Sequence, residues 1–345
     1  MCDVSRRKLL LGGVALSSAA PAQTRTEGAL PPDVNRVDEI AEGVYFHRGD
    51  LENHGHCNNG WIIFKDYVLV IDANFPSGAH LVIPKIRRLT NKPIRFAFDT
   101  HHHGDHAYGN QVWVENGATP LAHTGVLEEM KRYETGYFGG QPGRWEEAAK
   151  TRPDVAQSRL NPPSLLFPKE LYFDDGVQRV ELIHFGVAHT HGDAFAWLPK
   201  QRILFTGDAC VNGPYNYMGD GDSEKWIATL EAAKRLGAQL ICPGHGSRGD
   251  GAMIDDQQAF FRSLRREVNR LVRAKKTPRE VYQSVETIRS ALAADKQIAR
   301  YVGRSLAAQV EKVYQEMTGR GFPPETKTAQ AAREHHRRQH ARAWA

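Results

Sequence analysis

Apolar and polar residues alternate over 94–99, the period of a half-buried strand; 43–48 and 60–64 also read as strands, and the nearly continuous apolar run 67–72 reads as a buried strand ending in a carboxylate. Helical spacing follows in 79–89 and 126–133. Residues 134–168, rich in Gly, Pro and Arg, show little period and read as an insertion with short helices. Strands resume at 177–185, 194–198, 203–206 and 239–242, with Pro199-Lys200-Gln201 as a turn. Ser223 is expected to cap a helix whose inner face carries Trp226, Leu230, Ala233 and Leu236. From 255 to 317 the pattern is helical, broken near Thr277-Pro278 and Ala294-Asp295. Phe260, Leu264, Val268 and Leu271 form one stripe and Val281, Val285, Ile288 and Leu292 another, both expected in the core.

The strand at 94–99 delivers Thr100-His101-His102-His103-Gly104-Asp105-His106, four histidines and a carboxylate in seven residues. A core has no use for that density. His101 and His103, two apart in an extended loop, can offer two imidazole nitrogens to one cation, with Asp105 and His106 beside a neighbouring position. Nitrogen and carboxylate donors suit Zn(II), which binds them at roughly 2.0–2.2 Å. The alternative, a polar loop or adventitious metal-binding tract, loses ground because His189, Asp208 and His245 each lie just past a strand as well. Four strand ends can converge on one edge of a sheet, where sites sit.

His101-x-His103-x-Asp105-His106, then His189 in Ala-His-Thr, Asp208 in Leu-Phe-Thr-Gly-Asp and His245 in Pro-Gly-His-Gly, together resemble the metallo-β-lactamase-fold superfamily over about residues 43–248. The resemblance implies an α/β fold, the αββα sandwich, with a dinuclear, usually zinc, site at one edge. It implies that His101, His103 and His189 hold one Zn2+, that Asp105, His106 and His245 hold the other, and that Asp208 bridges them. Such metals lower the pKa of bound water toward about 7 and polarise a carbonyl, and Asp105 can orient the water as a catalytic group. Asp208 stands where the β-lactamase groups usually carry Cys or Ser, which favours an ester, lactone or thioester while leaving β-lactams open. An iron-dependent, persulfide-oxidising member of the fold is the redox alternative, and a non-catalytic metal-binding protein the third class.

Among the other candidates, His191 competes with His189 as a ligand, and the family position favours His189. His102 and His184 are expected to face away, His54 and His56 to line the pocket mouth or the surface, and Tyr215 and Tyr217 to reach a substrate oxygen. The insertion 134–168 and loop 49–59 are expected to choose the substrate, with Tyr137, Phe138 and Trp145 as apolar contacts and Arg144 for an anionic group.

At 345 residues, 41% of them hydrophobic, the chain can bury a substantial core. Its first residues read as an address. Ser5-Arg6-Arg7-Lys8 precedes an apolar run, 9–20, shorter than the roughly 20 residues a membrane span needs, and Ala20-Pro21-Ala22 supplies a cleavage site. This resembles a twin-arginine signal and implies the export machinery as a partner and a periplasmic location. Removing 1–22 takes Lys+Arg from 45 to 42 and Asp+Glu from 40 to 39, a net charge near +3 with no nucleic-acid preference. Cys57, Cys210 and Cys242 remain, an odd count that argues against a disulfide framework; Cys210 and Cys242 look buried, and Cys57 is open. The expected organisation is therefore a signal at 1–22, a linker at 23–42, a catalytic domain at 43–250, helices at 251–320 and a basic tail at 321–345. The partners expected are a small-molecule substrate and no stable membrane anchor.

Overall fold

Two β-sheets stack face to face. The computed structural model describes residues 34–135 and 143–322, so the export signal, most of the linker, Tyr137, Phe138 and the tail beyond Phe322 lie outside the described residues. The first sheet runs in chain order: β1 (Val37–Ala41), β2 (Val44–His47), β3 (Asn59–Ile63), β4 (Val68–Ile71), β5 (Ile94–Asp99), β6 (Thr119–His123) and β7 (Leu165–Phe167). Its first four strands are antiparallel and its last four parallel. The second sheet comprises β8 (Glu170–Asp174), β9 (Arg179–Ile183), β10 (Phe195–Leu198), β11 (Ile203–Gly207) and β12 (Leu240–Pro243), ordered β12-β11-β10-β9-β8. Only β11 and β12 pair in parallel within it.

Side-chain alternation explains the layers. Ile62, Leu69, Ile71 and Phe98 point from the first sheet into the space between the sheets, where they meet Leu182, Ala196, Leu198 and Phe205 of the second. Trp61, Val68 and Val70 point outward and are covered by Val82 and Ile86 of helix Pro76–Leu89 and Trp113 of helix Asn110–Glu115. On the far side Phe195, Trp197, Leu204 and Ile241 pack against Trp226 and Leu230 of helix Ser223–Lys234 and against helices Ala252–Arg273 and Leu306–Thr318. The result is the αββα sandwich with C-terminal helices. Both predicted stripes are core: Phe260, Leu264 and Val268 are fully buried, as is Val281, and each such side chain contributes about 1.5–3 kcal/mol.

The structure corrects four readings. The described end of the 23–42 stretch is strand β1, paired with β2; it is a half-buried edge whose polar residues hid it. The 134–168 stretch holds the expected short helices, Arg144–Ala149 and Pro153–Ala156, but it ends in β7, which closes the first sheet. Strand β8, half exposed at the other sheet's edge, carries too weak an apolar pattern to be read. Helix Ser223–Lys234 is capped by Asp222, whose carboxylate accepts from Glu224 and Lys225 N–H, and not by Ser223. From Val34 onward the described residues form one compact unit, including the C-terminal helices.

Strand register sets up the edge where the motifs meet. Ile71 pairs with Phe98 in the parallel β4–β5 ladder, so Asp72 and Thr100 leave the sheet together. Gly207 pairs with Pro243 in β11–β12, so Asp208 and His245 do the same. Ala194 N–H donates to the Thr100 carbonyl at 2.9 Å and ties the two edges to each other.

Candidate metal centre

Seven groups meet at this edge: His101, His103, Asp105, His106, His189, Asp208 and His245, none more than 6% exposed. His103 Nδ1 lies 3.1 Å from His101 Nε2 and 2.9 Å from His189 Nε2. Asp105 Oδ2 lies 2.9 Å from His245 Nε2 and 3.4 Å from His106 Nε2. Asp208 stands between the two groups, with Oδ1 3.5 Å from His106 Nε2 and Oδ2 3.3 Å from His245 Nε2 and 3.7 Å from His189 Nε2. His101, His103 and His189 form one set of donors able to share a cation, and Asp105, His106 and His245 another.

The partners on the outer side of the rings decide what the inner nitrogens offer, because a carbonyl or a carboxylate can only accept. His189 Nδ1–H donates to the Tyr217 carbonyl at 2.8 Å. His103 Nε2–H donates to Asp220 Oδ2 at 2.8 Å, and that carboxylate is paired with Arg144. Asp72 Oδ2 faces His106 Nδ1 at 2.9 Å, while its Oδ1 accepts from Thr100 N–H and Oγ1–H. With its hydroxyl proton committed to Asp72, Thr100 Oγ1 accepts from His101 Nδ1–H at 3.1 Å. In the neutral rings the inner nitrogens of three of them, His101 Nε2, His103 Nδ1 and His189 Nε2, are therefore lone pairs. Lone pairs about 3 Å apart repel unless something positive lies among them. Buried Asp105 Oδ1, Asp208 Oδ1 and both ring nitrogens of His106 also have no hydrogen-bond partner, the contact of His106 with Asp72 being one of charge. Metal cations fit this donor set and would satisfy all of it.

The family profile described as "Metallo-beta-lactamase superfamily" matches residues 53–245, more than half of the chain. The chain belongs to the metallo-beta-lactamase superfamily. That membership makes it a metal-dependent hydrolase. Among solved structures, DIM-1 metallo-beta-lactamase exposed to ceftazidime is 20% identical over 66% of this chain and 96% of its own, with a TM-score of 0.52. A metallo-beta-lactamase from Pontibacter korlensis is 19% identical over 66% of this chain and 98% of its own, with a TM-score of 0.53. At these identities the likeness is one of fold.

As a metallo-beta-lactamase-fold site, the edge depends on backbone as well as side chains. Asp72 adopts φ +63°, a left-handed conformation uncommon outside glycine, and this holds its carboxylate between Thr100 and His106. Gly244 has no alternative, since a Cβ there would lie 2.2 Å from Asp208 Oδ1 and 2.8 Å from His106 Cε1. Asn58 clasps the same turn by donating to the Pro243 and Gly246 carbonyls, both at 2.8 Å. Loop 49–59 is thus tied to the His245 turn.

Charge is shared across the centre. Burial is the largest influence on both Asp208 and His245 and opposes ionisation. Opposite charges outweigh it: His245 and then His106 hold Asp208 down to about 2, and Asp208 with Asp105 holds His245 up to about 9. Burial pushes the Cys57 thiol up, so it stays protonated on the Asp72 side of His106, and none of Cys57, Cys210 and Cys242 forms a disulfide.

His191 is exposed, which removes it from competition with buried His189. His184 faces away, stacked on His123 with ring centroids 3.8 Å apart. His54 is exposed, whereas His56 is buried with Nε2 2.8 Å from Ser77 Oγ. Tyr217 contributes its carbonyl to His189, and Tyr215 places its ring 5.9 Å from that of His245. Trp145 packs on Tyr108, and Arg144 is bound to Asp220 instead of standing ready for an anion. Sequence reasoning missed Asp220, Thr100 and Tyr217 as orienting groups. Asp72 carried a signal, a carboxylate closing an apolar strand, while Asp220 lies in a loop with none.

Proposed function

We propose that this chain is an exported zinc hydrolase that uses two metal ions to drive water onto the carbonyl of an ester, lactone, thioester or β-lactam. The observation that carries the reading is the inward set of lone pairs on His101, His103 and His189, held in place by Thr100, Asp220 and the Tyr217 carbonyl. His101, His103 and His189 would hold one ion, Asp105, His106 and His245 the other, and Asp208 would bridge. Imidazole and carboxylate donors are ones that zinc takes readily, and zinc is the usual metal of the fold that the residues resemble. Two such ions bring the pKa of water near 7 and polarise a carbonyl.

The remaining work belongs to the chain. Asp105 Oδ2 is engaged with His245, and its Oδ1, buried without a hydrogen-bond partner, would orient the attacking water. Near-complete burial of the ligands keeps bulk water from competing. Asp208, where the β-lactamase groups usually have Cys or Ser, favours esters, lactones and thioesters first. Export rests on Arg6-Arg7 and the apolar run after them; no helix among the described residues is long and apolar enough to cross a membrane. The catalytic unit would span 37–250, strand β1 included, braced by the helices of 251–320.

Elemental analysis of the exported protein, followed by a panel of chromogenic lactam, lactone, ester and thioester substrates, tests this. Two zinc ions per chain and turnover that a chelator abolishes are expected. One metal or fewer after reconstitution with excess zinc, or no turnover of any carbonyl substrate, refutes it.

A further inference from the structure

Among the described residues of the insertion, Arg144, the first residue of helix Arg144–Ala149, reaches the metal centre. Its guanidinium grips Asp220 with two parallel bonds, Nη1 to Oδ2 and Nη2 to Oδ1, each 2.9 Å. The same Nη1 lies 3.2 Å from His102 Nε2, and Asp220 Oδ2 accepts from His103 Nε2–H at 2.8 Å. We propose that Arg144 is a positioning residue: acting through Asp220, it fixes the ring of His103, so that the insertion sets how tightly the His101, His103 and His189 position holds its metal. This rests on the ligand assignment made above.

The geometry explains why an arginine is needed. A carboxylate held by one hydrogen bond can rotate about its last bond, whereas a two-pronged grip fixes its plane. His102 Nε2 lies 3.9 Å from Asp220 Oδ2 and could compete with His103 for it. Arg144 occupies that nitrogen by donating to it, which leaves His103 as the carboxylate's imidazole partner. Arg144 is itself held. Its guanidinium carbon sits 4.0 Å from the centre of the Tyr133 ring, which stacks on His102 from the preceding helix. The carboxylate of Glu134 accepts from Trp145 N–H and from Tyr108 O–H, both at 2.7 Å, and so pins the helix that starts at Arg144. Partners of this kind typically change metal affinity 10–100-fold when removed. Arg144 was expected from sequence to receive an anionic substrate; both of its terminal nitrogens are already committed.

The test uses the zinc-loaded full chain and reads the two zinc dissociation constants by chelator competition for wild type, Arg144→Ala, Arg144→Lys and His103→Ala. For Arg144→Ala we expect about 10–100-fold weaker binding of one zinc and less than about twofold change in the other. Lysine, which keeps the charge and loses the fork, should fall between. The His103 Nε2–H proton, followed by NMR in the zinc-loaded protein, should exchange with water faster in both variants. If His103→Ala leaves zinc binding intact, the ligand assignment fails and this proposal with it. If His103→Ala loses a zinc and Arg144→Ala binds both as wild type does, or only raises KM for anionic substrates, the relay alone is overturned. Should Arg144→Ala not fold, wild-type zinc binding by Arg144→Lys is the overturning result.

Discussion

His101, His103, Asp105 and His106 arrive on six consecutive residues after a single strand, and the groups that orient two of them, Thr100 and Asp72, stand at the ends of β5 and its parallel neighbour β4. His189, Asp208 and His245 arrive on three separate loops of the other sheet and take their support from far along the chain. Gln257, on helix Ala252–Arg273, accepts from Val211 N–H at 2.8 Å and donates to the Ala209 carbonyl at 3.1 Å. Gln309 donates to the Asn216 carbonyl at 2.6 Å, and Glu316 accepts from Ser223 N–H and its hydroxyl. In one half of the centre His101 and His106 are held by neighbours in the sheet, while His103 leans on a distant loop through Asp220. The other half borrows rigidity from the C-terminal helices, which therefore belong to the active machinery as much as to the core.

The largest effect should come from the residue that joins the halves. Asp208→Ala removes the carboxylate facing His106, His189 and His245. Metal content and turnover are expected to fall together, by more than the roughly 100-fold upper end seen when an outer partner is lost. A fully metallated, active Asp208→Ala enzyme would separate the halves and remove the bridge.

Support within each half can then be compared directly. Asp72→Ala frees the His106 ring and strips two hydrogen bonds from Thr100, so zinc affinity should drop about 10–100-fold. Gln309→Ala leaves a buried carbonyl without its donor, which should lower unfolding stability by about 1–3 kcal/mol and zinc affinity by less than about tenfold. Chelator competition and denaturant melts read both. Equal losses of affinity in the two variants would erase the distinction drawn here.

A last effect is graded with pH. In metal-free protein His245 is held up to about 9, with burial opposing and Asp208 and Asp105 prevailing. A raised value on a base means that stability from this group is complete below about 6.5, the unfolded value, and is lost as pH rises through about 9. Metal must displace that proton, so zinc affinity should climb by up to about tenfold per pH unit between about 7 and 9 and then level off. A flat profile would mean that His245 is not protonated when metal arrives.

The same contrast governs what the sequence disclosed. The His101 to His106 run was legible because spacing along one loop is itself geometry, and its strand, 94–99, has the bounds expected from alternation. His189, Asp208 and His245 could be listed as strand-end residues, yet only their resemblance to a family joined them. Asp220, the Tyr217 carbonyl and Gln309 act through contacts across 28 to 117 positions of sequence, which no local pattern records. Edge strands β1 and β8 escaped because a half-exposed edge needs no clear apolar face.

Gln257, Gln309 and Glu316 also set a clock. The ribosome delivers His101 to His106 and their orienting partners early, but the last props for the loop behind Asp208 emerge only with helix Leu306–Thr318. A nascent chain can pair its first sheet long before it can close the centre. The loop behind Asp208 therefore gains its full support only once helix Leu306–Thr318 has been made.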